Sequence, residues 1–338
     1  MRDITAIGST TRDGFLKVNL PIIDWPKTPL GKAFILPLGE KLYVEDVYFT
    51  LGGNAANASV TFARQGFKTA LFTKIGKDLA SEGILRILKQ ERVDARLIKK
   101  SNLPTAYSVL LLQGGERTIL NYHGAIEKFS LKDVNPKELK SRWWYISLPG
   151  ESYKLFGWLL KVAKKNGISV ALNPNSHHII AGRRELIKHL KDINFLVLNE
   201  GEAAALTGIP FSKEKAVFKR LDALVPGIVA VTSGKKGVVV SDGRFIYRAG
   251  TFKEKKLVDR TGAGDAFGSG FVAGLMKKKE KCTKGLCNPH NIEYAMKLAS
   301  ANATSVVEHI GATEGILKIQ EFEKSNRFKN LKIFYRSL

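Results

Sequence analysis

The sequence predicts an α/β fold built on a mostly parallel sheet, with a smaller β layer appended. Three observations predict it. From residue 143 onward, short β-rich runs alternate with helical periodicity, the pattern of strands joined by crossover helices. Residues 12–50 and 101–124 break that rhythm with prolines and paired β runs. Hydrophobic residues make up 44% of the 338, enough to cover both faces of a sheet.

Residues 4–9 read as a first strand. Residues 14–50 hold Pro21, Pro26, Pro29 and Pro37 among short apolar runs. Proline has no N–H for a ladder, so this suits edge strands and turns. Residues 55–65 turn helical, with Gly66 as the stop. Residues 68–75 read as a strand and 81–91 as an amphipathic helix. Runs 107–112 and 118–122 flank Gln113-Gly114-Gly115-Glu116-Arg117, a predicted hairpin. Strands at 143–147, 169–172 and 195–198 alternate with helices near 153–165, 183–189 and 202–207. Residues 211–224 read as helix, 228–232 and 237–241 as strands, and 292–307 as a long helix. The last 20 or so residues read as a short helix and a basic tail.

The stretch Asp259-Arg260-Thr261-Gly262-Ala263-Gly264-Asp265-Ala266-Phe267 carries the chemistry. A glycine-rich turn opens a helix there, and its free N–H groups and positive dipole end form a pocket for a phosphate or other oxyanion. A carboxylate beside an anion pocket is electrostatically unfavourable. Asp265 is explained if it takes a proton from a hydroxyl that attacks phosphorus. The plainer alternative is a helix start with small residues for close packing. No segment has the order of a P-loop, and Phe267 stands where a dinucleotide fingerprint needs a small residue.

The net charge of +23 raises nucleic-acid binding. The basic residues are spread along the chain, and the runs at 253–256 and 277–284 lack interleaved aromatics. A solvated basic surface that attracts polyanionic substrates is the better reading, and nucleic acid is not an expected partner. Cys282 and Cys287 fit a reducing compartment; with His290 they fall short of a zinc site, which needs four ligands. No apolar run reaches the ~18 residues of a membrane span, so the expectation is a cytoplasmic protein with no membrane partner.

Four motifs fall where strands end and ligands bind in such sheets: Gly8 to Asp13, Gly52-Gly53-Asn54-Ala55-Ala56-Asn57, Asn199-Glu200-Gly201-Glu202, and the anion pocket. Over roughly residues 3–318 the sequence resembles the ribokinase-like (PfkB) carbohydrate kinases. Gly52-Gly53-x-x-x-Asn57 with Gly66 resembles that family's first signature, and Asp259-x-Thr261-Gly262-Ala263-Gly264-Asp265-x-Phe267 its second.

The resemblance implies a three-layer sandwich with a β-sheet lid at 12–50 and 101–124, within one kinase domain spanning the chain. It implies Asp265 as base and Gly262, Ala263 and Gly264 as anion hole. It implies a small polyol, a sugar or a nucleoside, held by Asp13, Gly52, Gly53 and Asn57, with Arg117 at the hairpin tip as a further contact. Asn199, Glu202, Thr232, Gly234, Gly237 and Asn302 would serve ATP, with Mg²⁺ near Glu202 through water. Asp259 and Thr261, with backbone around His309 and Gly311, resemble a monovalent-cation site for K⁺. In some members the lid forms a homodimer. Each residue also has a bland reading: Asp13 as a turn aspartate, Asn57 as a helix cap, Glu202 as a first-turn carboxylate, Arg117 as a solvated turn. Arg260 stands where the family often has a small residue, and Asn173 to His178 lack an arginine often found there. The runner-up readings are a ligand-binding regulator without catalysis and a nucleic-acid-binding protein.

Overall fold

The computed structural model describes residues 1–28, 30–114, 116–150, 152–278 and 287–337. Among them a nine-stranded sheet runs in the order Ile333–Ser337, Phe245–Ala249, Val238–Ser241, Ile228–Thr232, Phe195–Asn199, Ser169–Leu172, Ser141–Ser147, Arg2–Gly8 and Thr69–Phe72. From Ile228–Thr232 to Thr69–Phe72 the strands are parallel. The remaining edge pairs antiparallel.

Side-chain alternation along these strands builds two cores. Trp144, Ile146, Leu196 and Leu198 face the helices Tyr153–Lys165, Arg183–His189, Glu200–Thr207 and Glu214–Leu224. Their neighbours Tyr145, Phe195 and Val197 face the helices Asn54–Arg64, Ala263–Lys277 and Pro289–Val306. Both faces are therefore covered, as a parallel sheet requires.

A second sheet contains Glu116–Tyr122, Tyr107–Gln113, Thr11–Lys17 and Asp46–Gly52 in that order. The chain enters it directly from the end of Arg2–Gly8 and leaves it directly into the helix Asn54–Arg64. Those two joints hang the sheet over the carboxyl ends of the parallel strands. A ribbon of Ile22–Asp24 with Lys32–Phe34 extends it. Val47, Tyr48, Phe49 and Leu120 of this layer are exposed, as are Leu36, Leu38 and Tyr43 beyond it.

Several sequence expectations need correction. The basic tail carries the strand Ile333–Ser337, which adds to the open edge of Phe245–Ala249, itself an unanticipated strand. Tyr335 packs 5.5 Å from Phe245 and 5.3 Å from Tyr247, ring to ring. A strand needs a partner edge, and that edge is invisible in the tail's own sequence. The predicted strand over 68–75 divides into Thr69–Phe72 and Lys74–Ile75, which belongs to a separate small sheet. The helix over 211–224 begins with a 3₁₀ turn at Phe211–Lys213. Cys282 and most of the basic run at 277–284 lie outside the described residues.

Candidate active site

Five parallel strands point their carboxyl ends at one place and deliver Ser9, Ser147, Asn173, Asn199 and Thr232 there. The helix Ala263–Lys277 starts at the same place. Its cap is Gly262, in the left-handed region at φ 77°. A Cβ on Gly262 would sit 2.4 Å from the Ala312 Cβ, so only glycine fits this turn. Asp259 braces the turn from behind: its carboxylate accepts from Thr261 N at 3.0 Å, Thr261 Oγ1 at 2.7 Å and Gly311 N at 3.4 Å. The first N–H groups of the helix have no partner within it, and that of Ala263 reaches Arg260 O at 3.4 Å.

Asp265 occupies the first turn of this helix and is buried. Asn57 Nδ2 donates to its Oδ2 at 2.9 Å, and Asn173 Nδ2 donates to its Oδ1 at 3.1 Å. Burial pushes the Asp265 carboxyl up to about 6, against the lowering effect of both amides and with help from the charges of Glu202 and Asp13. Asp13 is buried beside Gly52, and burial likewise raises its pKa, opposed first by the hydrogen bond from Thr11. Thr11 Oγ1 lies 2.6 Å from Asp13 Oδ1.

Three cavities meet here. One of about 330 Å³ is lined by Asp13, Gly53, Asn57, Ser108, Thr261, Gly262 and Asp265, with Leu110, Ile119, Asn121 and Tyr122 of the small sheet as its roof. A second, of about 410 Å³, is lined by Asn199, Thr232, Gly234, Gly237, Arg260, Ala263, Gly264, Ser300 and Thr304. A third, of about 270 Å³, shares Asp265 with the first and Gly264 with the second, and it holds Asn173, Asn199 and Glu202. The glycine turn thus separates a polar chamber from a longer groove, and Asp265 faces the passage between them. A larger depression, about 840 Å³, shares no residue with this site; its carboxylates Asp94 and Glu138 are already paired with Arg2, Arg96 and Lys99.

Most of the residues expected from the sequence meet here, and two do not. Asn302 is fully buried, its amide held by Ala266 O at 2.9 Å and its oxygen by Leu317 N at 2.9 Å. The groove is lined instead by Ser300, Ala303, Thr304 and Val307, the i, i+3, i+4, i+7 face of the same helix. That helical period, read around residues 300–307, was the signal that could have placed Asn302 inside. Arg117 shares its strand with Ile119 and Asn121 but lines none of the three cavities, and its Nε is buried without a hydrogen bond. Arg260 pairs with Glu116 of the small sheet at 3.5 Å. Ser108 and Asn121 were not singled out, because a lone polar residue in a β run carries no motif; Asn173 was noted only as the start of the loop that lacks the family's arginine, not as a partner of Asp265.

The donor set fits Mg²⁺. Asn199 and Glu202 cap their helix reciprocally, through Glu202 N to Asn199 Oδ1 and Asn199 N to Glu202 Oε2, both 2.8 Å. One carboxylate oxygen of Glu202 is left over, and burial holds its pKa up, a state that a cation relieves. Asp259 fits K⁺ less well, because protein donors already engage both of its oxygens. Among the described residues there is no cluster of three or more metal-ligating side chains and no helix long and apolar enough to cross a membrane.

Comparison with known proteins agrees with this geometry. The sequence profile described as "pfkB family carbohydrate kinase" matches residues 29–319. The chain is 30% identical to the ribokinase of Haemophilus influenzae over 295 residues, covering 84% of this chain and 89% of that one. It is 29% identical to the cytidine kinase of Thermococcus kodakarensis over 242 residues, covering 69% and 84%. The solved structure of Arabidopsis thaliana ribokinase complexed with ribose and ATP superposes with a TM-score of 0.75 at 23% identity, covering 94% and 96%.

Proposed function

The chain belongs to the pfkB family of carbohydrate kinases, and from that premise we propose that it transfers the γ-phosphoryl group of ATP to a primary hydroxyl of a small sugar, with Asp265 as the base. It is a phosphotransferase with an alcohol group as acceptor, of the ribokinase-like fold. The observation that carries the reading is the position of Asp265 in the passage between chamber and groove.

In this reading the sugar lies in the chamber. Asp13 accepts hydrogen bonds from its hydroxyls with Gly52 packed against its carboxylate, the backbone of Gly53 lies against the sugar, and Asn57 orients it while gripping Asp265. ATP lies in the groove along Thr232, Gly234 and Gly237, its triphosphate reaching Gly264. The acceptor hydroxyl gives its proton to Asp265 as its oxygen bonds to the γ-phosphorus. The bond from that phosphorus to the β,γ-bridging oxygen breaks, and ADP leaves. A base titrating at about 6 is ionised at neutral pH yet basic enough to take the proton. The N–H groups of Gly262, Ala263 and Gly264 stabilise charge on the transferring group. Mg²⁺ held near Glu202 and Asn199 neutralises the phosphates when bound. The small sheet roofs the chamber and keeps out water, the competing acceptor. Its exposed apolar outer face supports a homodimer through this lid, which light scattering in solution tests.

A nucleoside is the second reading. The cytidine kinase relative favours it, and so does the apolar side of the chamber at Leu110, Ile119, Ile126 and Leu148, where a base can rest. The test is a panel of pentoses, hexoses and nucleosides with ATP and Mg²⁺, following ADP release. Turnover of a sugar supports the first reading and of a nucleoside alone the second. Turnover of none refutes both.

A further inference from the structure

We propose that Asn173 is a positioning residue for the Asp265 carboxylate, and that the Tyr145 hydroxyl fixes which end of the Asn173 amide faces it; this rests on the reading of Asp265 as the base.

Asn173 directly follows the strand Ser169–Leu172, and its N–H bonds Ile146 O at 3.0 Å, so its backbone is held by the sheet. Its Nδ2 reaches Asp265 Oδ1 at 3.1 Å, while Asn57 reaches Oδ2 at 2.9 Å from another element. One donor on each oxygen stops the carboxylate from rotating. A carboxylate has about four lone-pair sites, so two donors leave room to receive a proton.

The charged groups that face Asp265 are Glu202, from the helix Glu200–Thr207, and Asp13, from the strand Thr11–Lys17, and both are acidic. Burial and both neighbours favour the protonated, inactive form, and the two amides oppose them. Asn173 therefore helps to keep the base ionised as well as aimed.

The Tyr145 hydroxyl is fully buried, with the Asn173 side chain as its polar neighbour and Asp265 close by. A phenol is a good donor to an amide oxygen. Its presence favours the orientation in which Asn173 turns oxygen to the phenol and nitrogen to the carboxylate. The flipped amide would set its oxygen against a carboxylate.

The experiment measures kcat and acceptor KM across pH for Asn173→Ala, Asn173→Ser and Tyr145→Phe, with ATP, Mg²⁺ and the best acceptor from the panel. Losing a hydrogen bond to a charged group predicts a kcat about ten- to a hundredfold lower for Asn173→Ala, with KM within about threefold. The acid limb of kcat moves up by about one pH unit. Tyr145→Phe moves both in the same direction by less. An unmoved acid limb, or a raised KM with kcat kept, overturns the proposal. If the alanine variant unfolds, the serine variant decides by the same criteria. Asp265→Asn serves as the control: if it keeps full activity, the base reading fails rather than the role of Asn173.

Discussion

Replacing Asp265 by asparagine should make the protein more stable and nearly inactive, by amounts that depend on pH. The folded carboxyl titrates at about 6 against an ordinary 3.8. The folded state therefore keeps a proton that the unfolded chain releases, and stability falls as pH rises from about 3.8 to about 6. Above that range the full cost persists, about 3 kcal/mol at 1.36 kcal/mol per pH unit. At pH 5 the cost is about half of that by the same linkage relation. Asparagine escapes it, but its NH₂ group meets one of the two amide donors. Asn57 can flip to relieve that clash, since its Oδ1 is buried without a partner. The expected gain at pH 8 is thus about 1–3 kcal/mol, and about 1 kcal/mol or more above that at pH 5. Urea unfolding of both proteins at the two pH values reads it directly. Turnover should fall about 10²- to 10⁴-fold at pH 8, and by about tenfold less at pH 5, where most of the wild-type carboxyl is already protonated. A stability difference that does not change between pH 5 and pH 8 would refute the buried-carboxylate argument. So would a variant that becomes relatively less stable as pH rises.

Two further substitutions separate folding from binding within the glycine turn. Gly262→Ala forces a side chain into the left-handed region and against Ala312, so it should lower stability by about 1–3 kcal/mol and turnover with it. Gly264→Ala meets nothing within 4 Å and sits in the first turn of a helix, so it should keep or slightly raise the melting temperature. Its methyl enters the groove, and the KM for ATP should rise; an unchanged KM would count against the groove as the nucleotide site. Asn302→Ala leaves the Leu317 N–H buried without its acceptor and removes the side-chain donor that Ala266 O receives beyond its helix. It should cost about 2–4 kcal/mol in urea unfolding while leaving the KM for ATP within about twofold. A tenfold rise in KM at unchanged stability would return Asn302 to the nucleotide.

The sequence by itself determined the class of sheet and the helix start at the glycine turn. Both are local properties. Alternation of β runs with helical periods dictates crossover connections, and Gly262-Ala263-Gly264-Asp265 dictates a helix start that offers N–H groups beside a carboxylate. The lid was legible for a similar reason: prolines and a hairpin signal interrupt the α/β rhythm at 12–50 and 101–124, where the small sheet forms.

Only the tertiary structure decided which residues share the site. Asn173 was a loop residue in sequence and became a partner of Asp265, because strand order brings the end of Ser169–Leu172 under the start of Ala263–Lys277. Asn302 sits near groove-lining positions in sequence, yet a turn of about 100° per residue sends it to the core. Arg117 stands on the roof strand and on the same face as Ile119 and Asn121, but nearer the hairpin tip and beyond the chamber. The raised pKa of Asp265 is the clearest case. Motif spacing names the carboxylate, whereas its titration is set by burial, by two amides from distant elements and by the charges of Glu202 and Asp13. These long-range terms depend on distances that the chain acquires only on folding.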